Sequence, residues 1–473
     1  MRRTLLVTAS HRIARRRLIA LAAAAIALPG CALKTPPSPQ ELAETELAHA
    51  PRPAGWKAGG RSEPVTPGWL RSFDDPRLPP LAEEALAYNA DLRIAAARVE
   101  VAAASLKAAG GALLPELNLA ARSGGKATGS QGQLSGLVVS ASWELDLWGR
   151  VRSGRNAADA QYASAQADER AARQAIVAAL AKAWFLAAES VLQKRVITDV
   201  LMASETFVRL AEDRLQVGVG AEADVAIARA DLQSYRDSAL QIDFALAQAR
   251  RALEVLLGRY PASELELPPG LAAMPPSPPT GVPSDLLERR PDIVAAERRF
   301  AASFGRVEEA RAARLPRISL SAALSSISSS TFVLKTDSDP SVGGAASVFF
   351  PIFNNGQLEA QVELRTAEQK QAGAAYAQTA LRAFNEVETA LASESTLAAR
   401  ERVLRQGLVD SQRALELEQI RFRVGSRDLR TVTQQQLAAY AVRLSLIRVQ
   451  TEQRVQRVQL HLSLGGDFAP AGS

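Results

Sequence analysis

The chain contains two copies of one sequence pattern, and this duplication constrains its fold more than any other feature. Three glycines recur at a spacing of 207 residues (356 − 149 = 207): Gly149 with Gly356, Gly218 with Gly425, and Gly258 with Gly465. Upstream, Leu114-Pro115 matches Leu315-Pro316 at a spacing of 201 (315 − 114 = 201). The stretch between Pro115 and Gly149 absorbs the difference, so it is expected to carry a loop that tolerates insertion. A period of about 200 residues is far longer than a solenoid unit, which predicts a duplicated half rather than a repeat array.

The first 30 residues have the pattern of a secretion signal. Arginines precede an apolar run, Leu18 to Leu28, which is shorter than the roughly 20 residues of a permanent membrane helix. Leu28-Pro29-Gly30-Cys31 then resembles a bacterial lipoprotein box, with proline as a departure from the usual pattern. We therefore predict a signal peptide over 1–30, lipidation of Cys31, and a lipid-anchored extension over 31–79. The alternative is ordinary signal-peptidase cleavage that leaves a free thiol.

Charge and composition exclude several classes of function. The chain has 56 basic and 50 acidic residues, and the excess equals the six arginines that precede Cys31, so the mature chain has no net charge (56 − 6 = 50). A nucleic-acid partner is not expected, because that function needs a basic face. The single cysteine allows no disulfide, and His49 and His461 stand alone in the mature sequence, as surface or packing residues do. No metal site, cofactor or catalytic residue is predicted, and the chain is not expected to be an enzyme.

Long helices are predicted by the distribution of proline. Proline is absent from 116–260 and from 352–469, and interior proline disrupts a helix. Residues Arg150 to Val217 are rich in strong helix formers and predict a rod of roughly 100 Å, with a counterpart in the second copy. Helices from about Pro80 to Leu113 and from Ala221 to Leu257 together match the rod in length. One long helix can therefore pack beside two shorter ones in coiled-coil fashion.

Between the first helix and the rod of each copy, the apolar period changes from 3.6 to 2. This alternation predicts four strands, at about 116–127, 133–147, 317–330 and 342–353. Each is long enough for a tilted membrane strand, and the tips are rich in serine. Aromatic residues gather at the strand ends: Trp143, Trp148, Phe349, Phe350 and Phe353. Together with the signal peptide, they favour a membrane barrel with an aromatic girdle over the alternative, a solvated hairpin on a soluble domain.

Four strands cannot close a barrel, and lipid does not tolerate an open sheet edge. The smallest barrels of this kind have eight strands, so at least two chains must share one, and three chains would give twelve. The sequence thus predicts an oligomer and leaves its copy number open.

Several motifs together resemble the outer-membrane efflux lipoproteins of the TolC and NodT type. The motifs are Trp143-Glu144-Leu145-Asp146-Leu147-Trp148-Gly149-Arg150, Leu287-Glu288-Arg289-Arg290-Pro291-Asp292-Ile293, Leu315-Pro316, and Pro351-Ile352-Phe353-Asn354-Asn355-Gly356. The resemblance covers nearly the whole mature chain. It implies a mainly α protein with membrane β-strands that assembles as a homotrimer. The trimer would form a twelve-stranded barrel in the outer membrane of a Gram-negative bacterium, and the barrel would continue as an α-helical tunnel. Such proteins are passive ducts, loaded with drugs, metal ions or other solutes by a periplasmic adaptor and an inner-membrane pump.

This resemblance sets the expected organisation. The first repeat covers 80–260, a Pro-rich linker covers 261–284, the second repeat covers 285–466, and a tail covers 467–473. By resemblance, the linker wraps the waist of the tunnel with the chain termini. The residues expected at the junction of barrel and helices are Trp143, Trp148, Gly149, Pro351, Phe353 and Gly356.

The resemblance also implies a gate at the far end of the helices. The tip turns are predicted at Gly218, Gly220 and Gly425, since glycine permits the left-handed backbone of a turn. In the family an acid and an arginine pair across the two turns, and Asp224 and Arg427 occupy those positions here. The family's ring of acids falls on Thr431 and Gln434, with Asp428 nearby as a substitute. The alternative for Asp224 and Arg427 is that both are merely solvated tip residues.

Two rival functions remain open at this stage. A periplasmic coiled-coil adaptor with soluble hairpins would show the same alternation but would leave the membrane on alkaline washing. A duct for type I protein secretion would share the whole fold, because the cargo is not encoded in the tunnel itself.

Overall fold

The structure is a computed structural model that describes residues 33–124, 134–329 and 341–469. It divides into two compact units. The first contains the described residues up to Glu46 with Glu100–Ser164 and Ala296–Tyr376, and the second contains Leu47–Val99, Ala165–Ala295 and the residues from Ala377 onwards. The described chain is mostly helical and includes a four-stranded antiparallel sheet, which belongs to the first unit.

The helices repeat with the same spacing as the sequence. In chain order they are α1 (Pro39–Glu46), α2 (Leu78–Tyr88), α3 (Ala90–Gly111), α4 (Arg150–Gln216), α5 (Glu222–Leu256), α6 (Pro283–Arg289), α7 (Pro291–Ala312), α8 (Gln357–Arg423) and α9 (Leu429–Ser463). Helices α4 and α8 are the predicted rods, each of 67 residues, and α5 and α9 each have 35. The duplication and the long rods are therefore confirmed.

Glycine ends each of the longer helices of both copies in one geometry. After α4, Gly218 has a φ of 79°, its N–H donates to Leu215 O, and Val219 N–H donates to Arg214 O. This is the Schellman pattern, in which a left-handed residue lets two N–H groups satisfy the last carbonyls of the helix. The same pair of bonds follows α5, α8 and α9. The glycines concerned are Gly258, Gly425 and Gly465, with φ of 75°, 78° and 67°.

The helix predicted from Pro80 to Leu113 is instead two helices, α2 and α3, separated by Asn89. The backbone of Asn89 is extended (φ −61°, ψ 130°). Its Oδ1 accepts hydrogen bonds from Asp91 N (2.9 Å) and Leu92 N (3.3 Å), so it caps α3. Asparagine competes with helix formation in this way because its short side chain can bond neighbouring N–H groups.

Asn89 also joins the two ends of the first repeat, and the second repeat reproduces this link with another side chain. Asn89 Nδ2 donates to Leu256 O at 2.9 Å. The residue 201 positions later, Arg290, donates through Nη1 to Ser463 O at 3.2 Å, and Ser463 lies 207 positions after Leu256. Arg290 is also paired with Asp292 (2.7 Å) and Glu386 (2.6 Å). Burial alone would lower the pKa of Arg290, but these carboxylates raise it above its usual value.

The strands are β1 (Glu116–Gly124), β2 (Leu134–Leu145), β3 (Arg317–Ser329) and β4 (Ser341–Phe349), and they pair in chain order. Strand β2 ends before the predicted 147 because the Asp146 side chain turns to the next helix. Strand β4 ends before the predicted 353, close to Pro351, which cannot donate a ladder hydrogen bond. The predicted strand residues 125–127, 133 and 330 lie outside the described residues.

The second unit is organised around an aromatic and aliphatic core that includes the N-terminal extension. Trp69 and Phe73 pack with Trp184 and Phe185 of α4, and all four side chains are buried. By length and composition α4 could cross a membrane, but a core helix passes the same test, and 44% of the apolar segment of α4 is buried within the protein. His461 is buried and stacks on Trp69 at a centroid distance of 5.5 Å. Burial, with the nearby Arg457, lowers the pKa of His461 to about 3, so it is neutral and has the packing role expected of it.

The Pro-rich linker lies against α9 through arginine side chains. Arg454 Nε donates to Ala272 O at 2.7 Å, and Arg457 Nη1 donates to the carbonyls of Pro275 and Pro276, both at 2.5 Å. Proline carbonyls remain available as acceptors although the residue has no N–H. The linker also pairs with the N-terminal extension, since Thr280 N donates to Arg61 O, and Gly281 N to Glu63 O.

Replacing Asn89 with alanine should lower the free energy of unfolding by about 2 kcal/mol. The change removes a helix cap and leaves the partly buried Leu256 carbonyl without its side-chain donor. Asn89→Ser keeps an acceptor for the cap but cannot reach Leu256, so it should fall between the alanine variant and the parent. Thermal unfolding followed by circular dichroism in detergent measures both. Equal unfolding temperatures for parent and alanine variant would contradict this role.

Candidate functional site: the sheet, its helix junctions and the helix tips

One face of the sheet is apolar across all four strands. The ladder places Leu119 opposite Val139, Val139 opposite Leu324, and Leu324 opposite Val342. Leu119 is 69% exposed and Val342 is 82% exposed, although both are aliphatic. Soluble proteins cover such a row with other elements, whereas a membrane barrel presents it to lipid.

The other face carries small and mainly polar residues. The neighbouring row places Asn118 opposite Ser140, Ser140 opposite Ala323, and Ala323 opposite Gly343. The four residues of this row are uncharged, so the row provides a polar surface without a fixed charge. An outward apolar face and an inward polar face are the pattern of an outer-membrane barrel.

Two edges of the sheet have no strand partner in the part of the chain that the structure describes. The strand order is β1-β2-β3-β4, so β1 and β4 each present one row of backbone N–H and C=O groups. In water such an edge can be solvated, but in lipid each unsatisfied group costs several kcal/mol. A sheet with this apolar face is therefore incomplete as a single chain.

The first strand-to-helix junction is fixed by two carboxylates. Asp146 accepts hydrogen bonds from the backbone N–H groups of Val151 (3.0 Å) and Arg152 (2.9 Å), which satisfies donors at the start of α4. A negative charge at this end of a helix is also favoured by the helix dipole. Glu144 forms a bidentate pair with Arg150, at 2.9 and 2.8 Å. Both acids thus have structural roles in joining β2 to α4.

The predicted girdle tryptophans have specific partners at this junction. Trp143 Nε1 donates to Leu113 O at 2.9 Å, and Trp148 Nε1 donates to Pro316 O at 2.6 Å. Each ring is half-buried, as expected for a side chain with one apolar and one polar side. The adjacent Gly149 has a φ of 76°, and a Cβ there would come within 2.7 Å of Leu33 Cδ2, so the position requires glycine.

The second junction keeps the backbone turn but not the carboxylate. Gly356 has a φ of 78°, close to that of Gly149, and Gln357 N donates to Asn354 O at 3.1 Å at the start of α8. Phe353 stands where the first copy has Asp146, and its ring is 84% exposed. Pro351 precedes it and is half-buried. This junction therefore presents an aromatic surface where the first presents an ion pair.

In the second unit, the tip turns follow the two rods. Gly218 and Gly425 lie at the left-handed positions predicted for them. Gly220 is needed for another reason, because its N–H donates to Arg214 O at 2.8 Å and a Cβ there would meet Leu215 N at 2.7 Å.

Arg214 connects the two tips within one chain. Its guanidinium carbon lies 4.9 Å from the centre of the Phe422 ring, and Nη1 donates to Phe422 O at 3.2 Å. Phe422 is buried with Ala211 and Val225 in a small apolar cluster beneath the turns. This bridge was not predicted, although Arg214 and its counterpart Arg421 are among the residues that recur in both copies.

The acid beside Arg427 in the described protomer is Glu418 rather than Asp224. Arg427 Nε lies 3.8 Å from Glu418 Oε2, while Glu418 Oε1 accepts a hydrogen bond from Arg421 Nη1 at 2.6 Å. Asp224 lies in the first turn of α5. Glu418 has no counterpart in the first copy, where Ala211 occupies the position, so the duplication could not indicate it. The Asp224–Arg427 pair stays a prediction.

The remaining predicted gate residues surround the start of α9. Asp428 Oδ1 accepts hydrogen bonds from Thr431 Oγ1 (2.6 Å) and Thr431 N (3.1 Å), and so caps this helix. These bonds lower the pKa of Asp428 below its ordinary value, which keeps the exposed carboxylate ionised at neutral pH. Gln434 is exposed one turn further along. The predicted lipidation residue, Cys31, lies outside the described residues.

Comparison with known proteins agrees with this geometry. The model of the family described as "Outer membrane efflux protein" matches residues 81–259 and 282–466. The pyoverdine export outer membrane protein OpmQ of Pseudomonas putida is 30% identical over 96% of this chain and 98% of its own length. The cation efflux system protein CusC of Escherichia coli is 29% identical over 85% of this chain and 88% of its own length. The solved outer-membrane channel OprN is 29% identical, with a TM-score of 0.80 over 89% of this chain and 98% of its own.

Replacing Arg214 with alanine should loosen both tip turns without changing the rods. Val217, Val219 and Val424 are exposed in these turns, so elastase, which cleaves after small aliphatic residues, reports on their mobility. We expect cleavage there to become several times faster, as measured by mass spectrometry over a time course. Arg209→Ala removes the same charge from an exposed site on α4 and should leave the rate unchanged. Equal rates for the two variants would show that Arg214 does not restrain the tips.

Proposed function

Because the chain belongs to the outer membrane efflux protein family, we propose that three copies close a twelve-stranded barrel and export small solutes. The chain is an outer-membrane efflux channel, and its fold combines membrane strands with long helices. Channels of this family are outer-membrane components of efflux systems that work with adaptors and inner-membrane pumps. The copy number, the partners of this chain and its cargo are the parts proposed here.

The observation that carries the proposal is the four-stranded sheet with an apolar face and two unpaired edges. In lipid, backbone groups at both edges must be satisfied, and the sheet of one chain cannot do this alone. Pairing β4 of one copy with β1 of the next satisfies both edges at once and generates a ring. Cyclic closure is the usual symmetry of such head-to-tail contacts.

The width of the pore favours three copies over two. Two copies would give eight strands, and the interior of an eight-stranded barrel is filled by side chains or holds one small ligand. Three copies give twelve strands and a wider lumen, because barrel diameter grows roughly linearly with strand number. The small residues of the polar face, such as Ser140, Ala323 and Gly343, leave that lumen open.

The cargo we propose is a range of small solutes rather than one compound. The relatives include a pyoverdine exporter and a cation efflux protein, whose cargoes share little chemistry. The row that contains Asn118 and Ser140 has no charge with which to select among them. Selection is therefore assigned to the inner-membrane pump and adaptor, and the channel acts as their passive exit.

We propose that Asp224 and Arg427 of neighbouring copies hold the tips together when the channel is at rest. An exposed pair contributes about 1 kcal/mol or less, which suits a latch that a bound adaptor can open. Glu418 competes for Arg427, because it lies 3.8 Å away in the same chain. How firmly the tips are held at rest then depends on whether Arg427 pairs with Asp224 of a neighbouring copy or with Glu418 of its own chain.

The latch predicts conductance changes of opposite sign. Arg427→Ala should raise the single-channel conductance in planar bilayers, because the pair across the tips is lost. Glu418→Gln should lower it, since Arg427 is freed for Asp224. Arg423→Ala, which removes an exposed charge from the same region, serves as the control and should have no effect. An unchanged conductance for Arg427→Ala with an intact oligomer would remove the latch and leave the channel function untouched.

The proposed function is tested by charge placed on either face of β1. Leu119→Asp puts a carboxylate into lipid and should abolish rescue of a deletion strain, measured as tolerance of a panel of drugs and metal ions. Asn118→Asp, one residue away on the polar face, should restore full tolerance. If both variants rescue the strain, the hairpin does not lie in lipid, and the alternative function, a periplasmic adaptor with soluble hairpins, is supported instead. If deletion leaves tolerance unchanged but removes a protein from the culture medium, the channel is a secretion duct.

A further inference from the structure

The duplication fixes how one copy of the chain meets the next. We propose that β4 of one copy pairs antiparallel with β1 of its neighbour in a single register, with Val348 opposite Ala121 of the neighbouring copy. This rests on the ring assembly proposed above and goes further, because it assigns opposing residues where β4 and the neighbour's β1 overlap, at Ala345–Phe349 and Ala120–Gly124.

The two hairpins of one chain already pair in the same register. In the first, Glu116 lies opposite Ser142, and in the second, Arg317 lies opposite Phe349. Arg317 lies 201 positions after Glu116 (317 − 116 = 201), and Phe349 lies 207 positions after Ser142 (349 − 142 = 207). The offsets of 201 and 207 residues that relate the two copies in sequence thus also relate the paired residues of the two hairpins. Equivalent residues therefore occupy equivalent places in the sheet.

The contact between β2 and β3 joins a first hairpin to a second hairpin within one chain. The missing contact between β4 and the neighbour's β1 joins a second hairpin to a first, so it is the equivalent junction in the ring. Within the chain, Ala141 lies opposite Ala322. Adding 207 to Ala141 gives Val348, and subtracting 201 from Ala322 gives Ala121. These two residues should therefore lie opposite each other across the seam.

The same rule gives the two ends of the overlap between the described strands. It places Phe349 opposite Ala120, from the pair Ser142 and Ser321 within the chain. At the other end, it places Ala345 opposite Gly124, from the pair Val138 and Ser325.

The faces of the sheet support this register independently. Val348 and Ala121 both lie on the apolar face, because Val348 lies opposite Ile318 and Ala121 lies opposite Leu137. A slip of one residue would bring an apolar-face residue opposite a polar-face residue along the whole seam, which lipid would penalise. A slip of two residues would keep the faces, so it is the alternative that an experiment must exclude. In the two slipped registers, Val348 would lie opposite Leu119 or Ser123.

Disulfide trapping distinguishes these registers. Directly opposed residues have Cβ atoms about 4.5–5.5 Å apart, within reach of a disulfide, whereas diagonal neighbours are about 7–8 Å apart. Within one chain, Ala121 and Val348 lie on opposite edges of the sheet, three strands or about 14 Å apart across it and eight residues or about 27 Å apart along it, so only neighbouring copies can be linked. The full chain carrying Ala121→Cys and Val348→Cys is isolated in membranes and oxidised with copper phenanthroline, which accepts the two electrons lost by each thiol pair.

We expect most of the double-cysteine chain to run as covalent trimer on a non-reducing gel, with nothing larger. Leu119→Cys with Val348→Cys should form little covalent product, and each single variant controls for links through Cys31. Efficient linking in the Leu119 variant instead of the Ala121 variant would overturn the register. No linking in either, with three copies still present by native mass spectrometry, would overturn it as well while leaving the trimer intact. A ladder that ends at two or four chains would uphold the register and overturn the trimer.

Discussion

The unpaired backbone at the edges of the four-stranded sheet is the constraint on which the rest of the molecule depends. In lipid, N–H and C=O groups have no water to bind, so every edge must find a strand. One chain satisfies three of the four junctions it needs, and among the residues that the structure describes none covers the apolar row through Leu119 and Val342. In the proposed barrel, inserting the sheet into lipid and pairing its edges with other copies are therefore a single requirement.

The duplication also determines where the helices end. The two copies repeat the hydrogen bonds at the helix ends. Glycine in the left-handed conformation closes α4 and α8 with the same two hydrogen bonds, which sets both rods at 67 residues. At the beginnings, the two copies differ, since Asp146 caps α4 with a carboxylate and α8 begins beside the exposed Phe353. The backbone turn is thus held constant while the side chains around it have diverged.

Much of the fold could be predicted because both copies repeat the residues that begin and end their helices and strands. The duplication is indicated by the glycine spacing, the rods by the proline-free stretches, and the four strands by apolar alternation. The break at Asn89 was missed because alanine-rich sequence on both sides favours helix, although Pro291, at the place of Ala90 in the second copy, marks a helix start. To predict the Arg214–Phe422 bridge, or the contact of Glu418 with Arg427, one must know which side chains meet at the tips. Periodicity does not contain that information, and whether Asp224 meets Arg427 of another copy cannot be read from the tips of one chain.

Electron microscopy of the mature protein in mild detergent tests the central claim most directly, because it views the barrel and the copy number together. We predict threefold particles with a detergent belt around one end, where the strands of three chains form the barrel. Unbelted particles, or particles of any symmetry other than threefold, would contradict the account, since the sheet edges would then be satisfied by water or by a different number of copies.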